Sequence, residues 1–360
     1  MVKCRLSTHN QVNECNCLVS PIILRSLQCR VMYKPVFLLL ALCLLVGRAF
    51  AQLNNPDSPD ALRSAARALT VGDLLGLAEP ASEGNTHSQL LLGLSLQLIS
   101  QRDQHGAKES GASGLAAYWL RQAADNGSAP AQYFLAELDI KRVGVGDTGG
   151  CSEVSTLLDK AIAQQYLPAM TALGQRYLQG GCGFKVDDSL ALPLLRKASA
   201  AGDAEANYWL GVSYEKGLGV RADQPEANAW FRKGAEMGDA ACQNALGINV
   251  AEGNGTRKNE TEAVEWFRKG AEQGNYEAAC NLAIHYQLGQ GIASDNVLAL
   301  MWGLISDRNA SGGYYCLDHI EIPKLTKEQV AEATQRANAW LTAHHYPTTP
   351  PPKYTPAETQ

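Results

Sequence analysis

Along the second half of the chain the apolar positions recur with a fixed step. Leu210, Leu246 and Leu282 are 36 residues apart, and so are Trp230, Trp266 and Trp302, and Ala227, Ala263 and Ala299. Gly217, Gly253 and Gly289 keep the same step, as do Gly219, Gly255 and Gly291. The phrase Trp230-Phe231-Arg232-Lys233-Gly234-Ala235-Glu236 returns letter for letter from Trp266 to Glu272. Each unit holds two amphipathic stretches with a period of about 3.6 residues, separated by glycines, which predicts a pair of helices joined by a turn. In the clearest copy the first helix (A) runs from about Asp203 to Lys216 and the second (B) from about Gln224 to Met237. Ala206, Leu210 and Tyr214 share one face of helix A, and Ala227, Trp230 and Phe231 form the facing stripe of helix B. Gly238 stops the hairpin, because glycine accepts the left-handed conformation found after helix ends. A single hairpin of this kind cannot bury its apolar stripe alone, so neighbouring copies must stack.

Earlier copies are more diverged. Residues 166–202 keep Ala169, Leu173, Gly174, Tyr177 and Gly180, and residues 128–165 keep Ala131, Leu135, Gly144 and Gly146. Residues 87–127 keep an apolar first helix, a long polar insertion and then Trp119-Leu120-Arg121-Gln122-Ala123-Ala124. The array is therefore expected over 87–310, best at 203–238, 239–274 and 275–310. Residues 52–86 are expected to form a helical cap. Beyond the array, 311–345 should hold capping helices, with Thr326 as N-cap and Gln329 in the capping-box position. The proline-rich segment 346–360 reads as extended or disordered.

The pattern A-x-x-x-L-G-x-x-Y-x-x-G-x-G, then A-x-x-W and R-K-A-A with a closing glycine, resembles the Sel1-like repeat family, relatives of the tetratricopeptide repeat. Here it stands as Ala206, Leu210, Gly211, Tyr214, Gly217, Gly219, Ala227, Trp230, Arg232, Lys233 and Gly238. Asp139 and Asn249 are taken as departures from the motif tyrosine in the second and fifth copies, with looser interfaces expected there. The resemblance implies an all-α fold, a right-handed superhelical solenoid of antiparallel helix pairs. It also implies that helix A lines a concave groove. Counted from the motif leucine, the groove positions are Tyr133, Glu137 and Lys141, then Gln175 and Gln179, then Tyr208, Val212 and Glu215. Asn244 and Ile248 follow in the fifth copy, and Ile284 and Gln287 in the sixth. Tyrosines flanked by acids suit contact with a protein surface.

Charge narrows the function classes. The chain carries a formal −5, but residues 1–51 hold six basic residues and one acid, leaving 25 basic against 35 acidic in the remainder. A body this acidic lacks the footprint of a nucleic-acid binder. Met32-Tyr33-Lys34, the apolar run from Pro35 to Gly47, and Ala49-Phe50-Ala51 read together as a secretory signal peptide over 32–51. On that reading residues 1–31 are an upstream mis-assigned start, and the mature chain is periplasmic or secreted and bacterial.

Five cysteines follow the expected cleavage point: Cys151, Cys182, Cys242, Cys280 and Cys316. Export favours oxidation. Cys151 and Cys182 fall in the inter-helix loops of adjacent copies, and a disulfide between them is expected, the alternative being two free thiols. Cys280 and Cys316 share a phase one repeat apart and form a weaker candidate pair. Cys242 replaces a motif alanine and reads as a small core residue.

The sequence holds no phosphate loop, dinucleotide fingerprint, G-x-S-x-G elbow or H-E-x-x-H helix. His344-His345 is a weak metal candidate, His285 reads as packing, and the Arg-Lys pairs read as the solvated face of helix B. The expectation is a non-enzymatic protein-binding module with no metal or cofactor, its partner another protein and not nucleic acid. By resemblance, the specific role is that of an immunity protein neutralising a secreted (type VI) phospholipase or lipase effector. Alternatives are an envelope regulator or assembly scaffold, and a peptidoglycan- or β-lactam-acting enzyme or cell-wall binder.

Overall fold

Helix succeeds helix in a computed structural model that describes residues 59–102, 111–143, 151–309, 316–318 and 325–346. All of these belong to one contact unit, Leu53–Gln360. The upstream extension, the expected signal peptide and the tail beyond residue 346 lie outside the described residues. Two helices, α1 (Pro59–Ala68) and α2 (Val71–Ser82), lead into a series of hairpins. These are α3 (Thr86–Arg102) with α4 (Gly111–Asp125), α5 (Ala129–Val143) with α6 (Cys151–Ala163), and α7 (Leu167–Gln179) with α8 (Asp188–Ala200). Then come α9 (Ala204–Lys216) with α10 (Gln224–Glu236), α11 (Ala240–Glu252) with α12 (Glu260–Glu272), and α13 (Tyr276–Leu288) with α14 (Asn296–Asn309). A 3-10 turn, Cys316–Asp318, and α15 (Lys327–Ala343) follow. Among the described residues there is no strand, and each helix packs chiefly on its neighbours in the chain. This is an all-α solenoid of helix pairs.

The repeat phase is set by polar residues as much as by apolar ones. Asp203, Asp239 and Asn275 cap the A helices, each accepting a backbone N–H of the first turn. Asp223 and Asn259 do the same for two B helices. Each cap relieves an otherwise unpaired amide, and alanine in its place costs about 1 kcal/mol. The A helices end at Gly217, Gly253 and Gly289, with φ of +72°, +81° and +69°, where a side chain would strain the backbone. Thr326 and Gln329 form the expected capping box on α15.

Inside each hairpin the motif glycine lets the helices approach. A Cβ on Gly211 would lie 2.4 Å from the Phe231 ring, and one on Gly247 would lie 2.7 Å from the Phe267 ring. Leu210, Leu246, Leu282, Ala227, Ala263 and Ala299 have no exposed surface around these contacts.

Between repeats, the motif arginine reaches the motif tyrosine of the next copy. Arg196 donates to the Tyr214 hydroxyl at 3.3 Å, and Arg268 to the Tyr286 hydroxyl at 3.5 Å. The Arg-Lys pairs are thus not simply solvated. This step also corrects the register of one departure: the fifth-copy counterpart of Tyr214 and Tyr286 is Val250, not Asn249. With no hydroxyl to meet, Arg232 pairs with Glu262 at 3.0 Å. Asn249 occupies the position of Ser213 and His285 and donates to Asn228 at 2.8 Å, while Asn228 donates to the Asn254 carbonyl at 2.7 Å. Asp139 does hold the tyrosine position of its copy, where it adds negative charge near Arg121, itself hydrogen-bonded to Glu153.

Disulfides join Cys151 to Cys182, with a Cα–Cα distance of 4.9 Å, and Cys280 to Cys316, at 5.5 Å. Cys151 opens α6 rather than lying in the loop before it. Cys242 is the free, buried cysteine among the described residues, and burial pushes its thiol well above the usual range. The bridges span 31 and 36 residues, each worth about 3–4 kcal/mol by the loop-closure estimate. Non-reduced peptide mapping should recover these two cross-links, with Cys242 alkylated only in denaturant. Gly247→Ala should force the Phe267 ring aside and lower unfolding free energy by about 1–3 kcal/mol, read as a lower urea midpoint.

Candidate protein-binding groove

The A helices carry the candidate groove. Where α9 and α11 lie side by side, a cavity of about 170 Å³ opens. It is lined by Tyr208, Val212 and Glu215 from α9 and by Asn244 and Ile248 from α11, five of the groove positions expected from the repeat count. Phe231, Ala241, Ala245, Asn249 and Glu277 complete the lining. Glu277 escaped the count because it stands five residues before its motif leucine, one turn beyond the positions considered. Glu205 holds the equivalent place in the fourth copy.

Individual placements differ. Tyr208 is half-buried against Phe231, ring centroids 5.9 Å apart, and burial pushes its phenol up to about 12. Val212 and Asn244 are buried, with 8% and 4% of their surface exposed, so they form the floor of the cavity rather than its rim. Asn244 donates to Glu277 at 3.2 Å and accepts from Asn281 at 2.9 Å. Gln175 and Arg176 both donate to Gln179, at 3.2 and 2.6 Å. Lys141 is exposed, and Ile284 and Gln287 are partly buried away from this cavity.

Tyr133 does not face an open groove. Only 2% of its surface is exposed, and it shares an apolar cluster with Leu62 and Ala66 of α1. Glu137, on the same helix, accepts from Arg63 of α1 at 2.6 Å. The short helix read as a cap therefore packs on α3 and reaches the A helix of the second copy through Arg63. Farther along, Arg67 donates to the Tyr346 hydroxyl at 3.0 Å and lies 4.6 Å above its ring, joining residues 279 positions apart. The only hint of this in the sequence was the spacing of Leu62 and Ala66, with Arg63 and Arg67 beside them.

The groove is acidic. Glu205 sits near Glu137, Asp203 and Asp239, with Arg63 as the opposing charge, and desolvation first, then these acids, push its carboxyl up to about 8. His285 packs on Phe267 at 5.1 Å and meets Glu260 at 3.2 Å, and His344 stacks on Trp340 at 4.0 Å, so both have packing roles. Among the described residues no cluster of His, Cys, Asp and Glu could hold a metal ion, and no helix is long and apolar enough to cross a membrane.

A stack of capped helix pairs with a lined groove defines a helical-repeat interaction protein. The chain belongs to the Sel1-like repeat family: the Sel1 repeat model matches residues 105–128, 167–203, 204–239, 240–275 and 277–304. Sel1 repeats mediate protein–protein contacts, and the chain is an interaction module of that type. No curated protein matches it significantly. Among solved structures it is similar to a Sel1 repeat protein from Oxalobacter formigenes, with 25% identity over 72% of this chain and 96% of that one, TM-score 0.48. It is also similar to c5321, a protective antigen of uropathogenic Escherichia coli, with 23% identity over 79% of this chain and 64% of that one, TM-score 0.47. The immunity protein Pa5087 from Pseudomonas aeruginosa is 18% identical over 63% of this chain and 88% of that one, TM-score 0.40.

The raised Glu205 carboxyl has a definite pH signature. Between its ordinary value of 4.5 and about 8, the folded state holds a proton that the unfolded state has released, so this residue makes stability fall as pH rises through that window. Glu205→Gln should flatten the fall, seen as a melting temperature that changes less between those pH values than in the parent.

Proposed function

We propose that the chain is exported, its signal peptide removed near Ala51, and that the mature protein binds one protein partner along its A-helix face. The observation that carries this reading is the cavity between α9 and α11. There a half-buried tyrosine and two carboxylates surround an apolar floor of Val212, Phe231 and Ile248. An amphipathic ring in a desolvated pocket is the usual make-up of an interface hot spot. The two disulfides suit an oxidising compartment. The role assigned within this class is that of a periplasmic immunity protein that blocks a secreted lipase- or phospholipase-type effector, an assignment that rests on the family resemblance.

Affinity capture with the chain from Gln52, out of native envelope extract, should return one stoichiometric partner with a hydrolase sequence, and adding the chain should inhibit that hydrolase. Tyr208→Ala and Glu215→Ala should each weaken the complex at least about tenfold, equivalent to about 1.4 kcal/mol. Unchanged affinity in both variants would remove the groove from the interface. A bait that pellets with purified cell wall and captures no protein would replace the reading with polymer binding.

A further inference from the structure

The first stretch of the A-helix face is already occupied by a helix of the chain itself. Leu62 and Ala66 of α1 are buried, with 4% and 3% of their surface exposed, in the cluster that contains Tyr133 and Phe134. One residue on from each stands an arginine. Arg63 pairs with Glu137 at 2.6 Å, and its guanidinium lies 5.3 Å from the centroid of the Phe134 ring. Tyr133 and Glu137 stand two residues before and two after the motif leucine of the second copy.

The same two repeat positions in the fourth and fifth copies are Tyr208 with Val212 and Asn244 with Ile248, and there they line the open cavity. Its rim carries Glu215 and Glu277. Among the described residues neither carboxylate has an ion-pair partner, and none of the residues lining the cavity is cationic. An aliphatic stem ending in a guanidinium matches this lining: the stem would lie on Val212 and Ile248, and the charge near the two acids and the Tyr208 ring.

We infer that this cavity receives an arginine-bearing amphipathic helix of the protein partner, its arginine set beside the acids as Arg63 is set beside Glu137 two copies earlier. The inference rests on the protein-binding reading of the groove and adds the chemistry of the partner. Apolar residues four apart supply the buried face, and arginines beside them supply the register.

The probe is a labelled peptide carrying residues 59–68 between helix-forming alanine-rich flanks, titrated into the full mature chain by fluorescence anisotropy. A control peptide carries Arg63→Glu and Arg67→Glu. The arginine peptide should bind, should weaken as salt is raised, and should lose at least about tenfold in affinity with Glu215→Gln/Glu277→Gln. Glu215→Lys/Glu277→Lys, with an unchanged helical spectrum, should switch the preference to the glutamate peptide. Equal affinity for the two peptides, or none for either, overturns the inference. So does binding that survives Glu215→Gln/Glu277→Gln but is lost with Glu137→Gln, since the peptide would then sit only in the seat of α1. Capture of the native partner separates the two readings. A partner lost with Tyr208→Ala but kept with Glu215→Gln/Glu277→Gln leaves the groove standing and removes the arginine chemistry.

Discussion

The closeness of the two helices in each pair governs the rest of the structure. At Gly211 and Gly247 a phenylalanine ring of the B helix lies where any side chain on the A helix would have to be. A ring pressed on bare backbone fills its space at the density of a folded interior, and the alanines at 227 and 263 keep the surrounding layer thin. The turn glycines follow the same logic. A Cβ at Gly255 would lie 2.7 Å from the backbone of Gln224, and one at Gly291 would lie 2.3 Å from that of Glu260, so each turn rests on the B-helix start of the copy before it.

Polar contacts then index one copy against the next. An arginine of one B helix meets a tyrosine hydroxyl of the following A helix at two junctions, and finds a glutamate where valine removes that hydroxyl. These bonds lie toward the solvent and each contributes modestly. Their value is geometric: the partner changes while the arginine stays, so one copy can drift in sequence without losing its register. The disulfide from Cys280 to Cys316 ties the sixth copy to the turn before the terminal helix. The one from Cys151 to Cys182 ties two of the more diverged copies.

Function is built from what this scaffold leaves uncommitted. The residues that repeat are consumed by packing, and those that vary lie on the A-helix face. Part of that face lies beside α1 and part is open, with an aromatic ring, an apolar floor and two carboxylates. Burial first, and neighbouring acids second, raise the Glu205 carboxyl on the same face.

The architecture is written in the order of residues: the step of 36, the helix limits, the caps, the turn glycines and the family are all legible there. Each depends on residues close along the chain or on one spacing repeated. The clearest hairpin was placed to within one residue at each helix end, since Asp203, Gly217 and Asp223 act within a single turn of themselves. The features not legible there depend on residues far apart. Tyr133 stands at a groove position in the repeat but is buried, packed on Tyr166 more than thirty positions later and in one cluster with Leu62 and Ala66 of α1. Val250, not Asn249, is the counterpart of Tyr214, as the step of 36 itself gives; that Arg232 turns to Glu262 instead is seen only in the folded chain. Glu277 joined the cavity because α13 lies beside α11, a proximity set by how two copies stack. Local spacing names the faces of a helix, but which face is covered, and by what, is settled by the long-range packing of the whole array.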